Sequence, residues 1–159
     1  MIAPNASLNV KIEQDLPKIC LVTCSYNQAE FLEATLQSVL NQDYSNLAYS
    51  VIDGASKDGS PSIIARYADK LSYWVSERDA GQTSALIKGF DATDGEIMGW
   101  LCSDDLLLPN SLHTVGMFFR DNPDANVMFG DAVWIDRSGG FIRPKKEMPF
   151  SRFVLLMEN

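Results

Sequence analysis

The chain has 159 residues, 46% hydrophobic and 21% charged, with a formal charge of −8. That size and balance suit one globular domain with a hydrophobic core. A nucleic-acid binder would carry a basic face, so that class is set aside. No apolar run reaches the length of a membrane span, and no positively charged start leads into an apolar core of the signal-peptide kind.

Met1 to about Gln14 is weakly patterned and reads, with the next two residues, as a tail or edge segment over 1–16. A repeating rhythm then begins. Ile19–Cys24 is a buried strand. Asn27 is placed to cap the next helix, with Glu30 closing a capping box. Phe31, Leu32, Leu36, Val39 and Leu40 follow at helical spacing. Tyr49–Ile52 is a second strand ending at Asp53-Gly54, and Ser60-Pro61 opens a second helix. Leu71–Val75 is a third strand, Gln82–Phe90 a helix, Glu96–Cys102 a fourth strand and Pro109–Arg120 a further helix. Ala125–Phe129 and Val133–Ile135 read as strands, with a turn at Ser138-Gly139-Gly140. The apolar end, Phe153–Asn159, is amphipathic, and such a surface favours association into homo-oligomers.

Alternating strands and helices predict an α/β fold, a mainly parallel sheet flanked by helices. Ligands of such sheets bind beyond the carboxyl ends of the strands. The polar clusters fall there: Ser25-Tyr26-Asn27, Asp53, Glu77-Arg78-Asp79 and Ser103-Asp104-Asp105. The last is two adjacent carboxylates between apolar segments. It reads either as a helix cap ahead of Pro109 or as a site for a hard divalent cation, which would offset the cost of desolvating paired charge. Four clusters on one rim favour a site over four unrelated caps. An acidic chain that receives phosphates also needs a cation to do so.

Other chemistries find little support. There is no G-x-G-x-x-G after the first strand, no P-loop and no G-x-S-x-G elbow. The single histidine, His113, sits inside a helix and reads as a surface or packing residue. Cys20, Cys24 and Cys102 lack metal-site spacing, their odd number argues against a disulfide framework, and their strand-like surroundings suit buried thiols in a reducing compartment.

Four blocks in order carry a family resemblance. They are Val22-Thr23-Cys24-Ser25-Tyr26-Asn27-Gln28, Val51-Ile52-Asp53-Gly54-Ala55-Ser56-Lys57-Asp58-Gly59-Ser60, Trp74 to Gln82 followed by Lys88-Gly89-Phe90, and Gly95 to Leu101 followed by Ser103-Asp104-Asp105. Over Lys18 to Asp136 the chain resembles the nucleotide-sugar half of family 2 glycosyltransferases, which have the GT-A fold. The resemblance implies a GT-A domain over 17–159, the donor-binding portion of a longer enzyme and incomplete at its C-terminus. It implies transfer of a sugar from a nucleotide-diphosphate donor, a UDP-sugar, to an acceptor hydroxyl with inversion, in the cytoplasm at the inner face of the membrane. The acceptor would be a sugar, a lipid-linked group or a protein, and cell-wall, capsule or lipopolysaccharide assembly the setting.

Site residues follow by the same resemblance. Cys24 and Ser25 would line base and ribose through their backbone, Tyr26 would stack on the base, and Asp53 would accept the imide N–H of uracil. Gln82 and Lys88 would touch nucleotide or sugar, and Asp104 ribose or sugar. Asp105 would ligate Mn²⁺ or Mg²⁺. The loop Ala55–Gly59 would be structural. Cys24 and Arg78 stand where the family has proline, and Ser84 and Ile87 differ on the helix facing the donor. An inverting enzyme also needs an Asp general base; Asp131 and Asp136 come early for it, so it is expected beyond Asn159. Two other classes compete: a non-catalytic nucleotide-binding or assembly module, and a sugar nucleotidyltransferase. The latter wants a glycine-rich basic loop where Ser25-Tyr26-Asn27-Gln28 stands.

Overall fold

The computed structural model describes residues 15–147. The expectations for residues 1–14 and for the amphipathic stretch from Phe153 lie outside them. The chain divides after Pro123 into two compact units, where the sequence reading draws one domain.

The first unit is built on a four-stranded sheet. Its strands are β1 (Ile19–Ser25), β2 (Leu47–Asp53), β3 (Tyr73–Ser76) and β4 (Ile97–Cys102), in the order β3-β2-β1-β4. All neighbours run parallel. β1 and β2 are mainly apolar and buried along almost their whole length, because both faces are covered. The helices are α1 (Ala29–Leu40), α2 (Ser60–Arg66), α3 (Gln82–Ala92) and α4 (Ser111–Asp121). Ile19, Leu21 and Val51 pack on one side with Leu32, Leu36 and Val39 of α1, Ile63 and Ile64 of α2, and Leu112 of α4. Cys20, Val22 and Ile52 pack on the other with Ala85, Leu86 and Phe90 of α3. The core also takes in Leu16, so the segment just ahead of β1 is anchored: the Asn46 side-chain amide donates to the Leu16 carbonyl at 3.0 Å. α3 lies very close to β1. A methyl group on Gly89 would come within 2.4 Å of Val22 Cγ1, so only glycine fits there.

The start of α1 differs from the sequence reading. Gln28, not Asn27, occupies the cap position, and its side chain makes no cap bond. The loop after β2 supplies the acceptors instead. Ser56 Oγ accepts from the Asn27 N–H at 2.8 Å, Ser60 Oγ from Gln28 at 3.3 Å, and the Asp58 carboxylate from Ala29 at 2.8 Å. Asn27 Oδ1 accepts the Lys57 N–H in return, at 2.8 Å. Asn27 sits at φ 52°, a left-handed conformation that asparagine tolerates. Capping across a tertiary contact satisfies the same orphan donors that a local cap would.

The second unit, from Asp124 onward, holds an antiparallel hairpin of β5 (Ala132–Ile135) and β6 (Phe141–Lys145). Its turn is tied by Asp136, whose carboxylate accepts the N–H groups of Ser138 and Gly140 at 2.8 and 2.9 Å. Gly139 supplies the positive φ of 83°. The Arg143 guanidinium lies 4.5 Å over the Trp134 ring. The strand expected at Ala125–Phe129 is not formed. That segment has strand-like composition but no ladder partner among the described residues, and Val127 is 72% exposed. Backbone groups without a partner strand take water instead.

Candidate active site

The loops at the carboxyl ends of the four strands enclose a cleft of about 830 Å³ in the first unit. Cys24, Ser25 and Tyr26 line it from the end of β1, and Gly54, Ala55 and Lys57 from the loop after β2. Arg78, Asp79 and Gly81 come from the loop after β3, Gln82 and Ala85 from α3, and Cys102, Ser103 and Asp104 from the end of β4. Five of the eight residues expected at the site from sequence, Cys24, Ser25, Tyr26, Gln82 and Asp104, thus meet on one cavity wall.

At the β1 end, Tyr26 is 66% exposed. An aromatic ring left that open beside a cleft offers a stacking face. Ser25 Oγ is buried at the cleft and has no hydrogen-bond partner among the described residues. Buried hydroxyls are ordinarily paired, so an orphan on a cavity wall marks where a ligand or water belongs. Gln82 bridges two thiols: its carbonyl accepts from Cys24 Sγ at 3.9 Å, and its side-chain amide donates to Cys102 Sγ at 3.7 Å. Burial, then the neighbouring Cys102 and Asp79, push the Cys24 thiol up to about 11. Cys102 is raised as well, by burial and by Asp105 and Asp104. Both therefore stay protonated at neutral pH. Cys20 is fully buried, whereas Cys24 and Cys102 are only half-buried, because β1 and β4 end at the cleft.

Asp53, expected at the base from sequence, lies elsewhere than the cleft wall. Its side chain is fully buried, at 0% exposure. One carboxylate oxygen accepts from Ser56 Oγ at 2.5 Å. The other accepts from the Ser56 N–H at 2.9 Å and from Ser76 Oγ at 2.6 Å. Asp53 therefore clamps the loop after β2 to the end of β3. Lys88 also lies off the cleft wall, on α3, where its ammonium pairs with the Glu77 carboxylate. That hydrogen bond holds the Lys88 pKa above its ordinary value.

At the β4 end, Asp104 and Asp105 are exposed and lie together with Cys102. One ligand atom from each lies within 4.8 Å of the others. Partial burial of the Asp105 carboxyl, and then the Asp104 charge, hold its pKa above the ordinary value. Two carboxylates whose charges oppose each other form a donor set that suits a hard divalent cation. Cys102 joins the set although the cysteine spacing in the chain gives no sign of it. It does so because the turn at Ser103-Asp104 brings the chain back past the end of β4.

This loop is held from behind by α1. Thr35 Oγ1 donates to the Ser103 carbonyl at 2.9 Å, and Ser38 Oγ accepts the Leu107 N–H at 3.1 Å. The Gln42 side-chain amide, just past α1, donates to the Leu108 carbonyl at 2.9 Å and accepts the Leu112 N–H at 3.4 Å. Thr35 and Ser38 of α1, with Gln42 just past it, form one polar stripe turned inward, a role that an apolar-periodicity reading passes over. Lys57 and Cys102 also line the cleft, without a sequence signal for that place, whereas Arg78 and Asp79 belong to the polar cluster expected at the end of β3.

A parallel sheet with a cleft at its carboxyl edge, an open aromatic at one end and paired carboxylates at the other, defines a nucleotide-binding α/β domain of the GT-A type. The chain belongs to glycosyl transferase family 2, whose family model matches residues 20–157. It is 32% identical over 149 residues to an uncharacterized glycosyltransferase of Rickettsia typhi, a match covering 88% of this chain and 46% of that protein. It is 28% identical over 128 residues to the GalNAc(5)-diNAcBac-PP-undecaprenol beta-1,3-glucosyltransferase of Campylobacter jejuni, covering 78% of this chain and 40% of that one. Among solved structures it resembles the mannosyltransferase PcManGT of Pyrobaculum calidifontis in complex with GDP-Man and Mn²⁺. The TM-score is 0.60 and the identity 27%, over 75% of this chain and 35% of that one. S. aureus TarS in complex with UDP-GlcNAc shares the fold, at TM-score 0.59 and 20% identity, over 67% of this chain and 32% of that one. The chain thus spans less than half the length of each of these proteins.

Proposed function

We propose that this chain forms the donor-binding half of a glycosyltransferase that moves a sugar from a UDP-sugar to an acceptor hydroxyl with inversion. One observation carries the proposal: Tyr26 and Gly54 at one end of the cleft, and Asp104 at the other, line a single cavity. The base would lie against Tyr26 and the diphosphate would run toward Asp104 and Asp105. α3 begins at the cleft, with Gly81 and Gln82 on its wall, so the positive end of a helix faces the phosphates. Lys57 and Arg78 add positive charge on the same wall. Asp104 and Asp105, with the Cys102 sulfur beside them, would hold Mn²⁺ or Mg²⁺. A bound divalent ion supplies charge neutralisation to a departing diphosphate. A lipid-linked acceptor is supported by the undecaprenol diphosphate in the name of the Campylobacter relative. Work on such an acceptor would fall at the cytoplasmic face of the membrane. No described helix is long and apolar enough to cross one.

Calorimetry with UDP and Mn²⁺ tests the reading. Binding should be measurable in the wild type and at least tenfold weaker in Asp105→Ala. An absence of heat, or heat unchanged in that variant, counts against it.

A second reading is a module that binds the nucleotide without transferring the sugar. It is favoured by the two early candidates for the general base. Asp131 accepts the Glu147 N–H at 3.0 Å, and the Asp136 carboxylate is held by the hairpin turn. The Asp136 hydrogen bonds to Ser138 and Gly140 also hold its pKa below the ordinary value, the wrong direction for a base. An assay of donor hydrolysis and sugar transfer separates the two readings.

A further inference from the structure

We infer that Asp79 reads the nucleobase, accepting the imide N–H of uracil at Oδ2 while the ring lies against Tyr26. The inference rests on the donor reading above and names its base-selecting group. Asp53 is wholly buried off the cleft wall, and Ser56 and Ser76 already donate to both of its oxygens. Asp79 is disposed differently. Its Oδ1 accepts the Gly81 N–H at 2.8 Å, which fixes the carboxylate, and the residue lines the cleft with Oδ2 the oxygen beside Gly54.

Gly54 shows where Oδ2 points. A methyl group on Gly54 would come 3.3 Å from Asp79 Oδ2 and 3.2 Å from Tyr26 Cδ2. A fixed carboxylate acceptor and an exposed aromatic edge thus converge over Gly54, which has no side chain to block them. A substituent on Gly54 would occupy the gap between them.

The chemistry of the base edge follows. Uracil presents N3–H, a donor, between two carbonyls. Cytosine presents a lone pair at the same position, which a carboxylate repels. A carboxylate at this point therefore favours UDP over CDP. The preference arises from a charged acceptor that loses its partner with the wrong base.

The test measures UDP and CDP affinities, with Mn²⁺ present, for the whole chain and for Asp79→Asn and Asp53→Asn. The wild type should prefer UDP. In Asp79→Asn the ratio of UDP to CDP affinity should fall by about tenfold or more, the equivalent of one charge-assisted hydrogen bond. A general loosening of the cleft would weaken both nucleotides alike, so the ratio isolates the base contact. In Asp53→Asn the melting temperature should drop with the ratio unchanged. UDP binding with an unchanged ratio in Asp79→Asn overturns this inference and leaves the donor reading standing, as does a ratio that collapses only in Asp53→Asn. Failure of the wild type to bind UDP overturns both.

Discussion

Asp53 and Asp79 are the same residue type near the ends of neighbouring strands, and burial sends them to different tasks. Asp53 is sealed under Ser56 and Ser76. Replacing it by alanine leaves two hydroxyls and an amide N–H without their acceptor, and each buried orphan costs about 1–3 kcal/mol. Urea denaturation of Asp53→Ala should register a loss of at least that size. Asp105 carries the opposite sign. Its folded pKa lies above 3.8 through burial and the Asp104 charge, so the folded state binds the proton more tightly than the unfolded chain does. Without metal, stability therefore falls as pH rises from about the unfolded value through the folded one, and stays lower beyond it. Asp105→Asn should raise the melting temperature at pH 7 and should change it little near pH 3, where both states are protonated. Thermal scans at the two pH values without divalent ions decide this. Protons also compete with a cation at this carboxylate, so Mn²⁺ binding should weaken as pH falls through the raised Asp105 pKa.

Two helices position the site by different means. α3 does so by close approach, through Gly89 against Val22. Gly89→Ala gains helix propensity worth about 1 kcal/mol but forces the helix off β1, an overpacking penalty of about 1–3 kcal/mol. The expected net result is a less stable protein with weaker UDP binding, because Gln82 and Ala85 ride on the same helix. Far-UV thermal melts and a UDP titration check both parts. α1 acts through polar contacts. Thr35→Val keeps the shape but leaves the buried Ser103 carbonyl without its donor at 2.9 Å. A cost of about 1–3 kcal/mol is expected. The variant should also bind UDP–Mn²⁺ more weakly while holding a metal-free, base-only ligand such as uridine as before. Loss of both ligands alike would show that the helix, not the loop, had moved.

The molecule as a whole carries −8 charge, and its proposed ligand, an anionic diphosphate, would lie close to two carboxylates. Uncompensated, those charges repel. Replacing Mn²⁺ with EDTA should therefore weaken UDP by about tenfold or more, with little effect on uridine, which has no phosphates. Titration calorimetry of both ligands, with and without the ion, is the measurement.

Much of this architecture could be read along the chain. The β1 and β2 runs are mainly apolar, as strands buried on both faces require, with Thr23 and Ser50 as buried polar exceptions, and the helix between them carries apolar residues at three- and four-residue spacing. That pattern is local and predicts a parallel sheet covered by helices. The polar clusters at the strand ends placed the cleft for the same reason, since a parallel sheet brings all its carboxyl ends to one edge. What the chain could not disclose depends on contacts between residues distant in sequence. Asp53 and Asp79 look equally available until folding spends one on two serines and turns the other over Gly54. Asn27 has the makings of a cap, yet Asp58, Ser56 and Ser60 arrive from another loop and take the task. The strand-like Ala125–Phe129 segment found no ladder partner, and a strand requires one. Cys102 gained carboxylate neighbours only when the chain turned back past β4. Local pattern decides which elements form and where the site lies. The assignment of individual side chains to clamp, cap or ligand waits on tertiary contacts, because a hydrogen-bonding group is committed by whichever partner folding brings to it first and most fully buries.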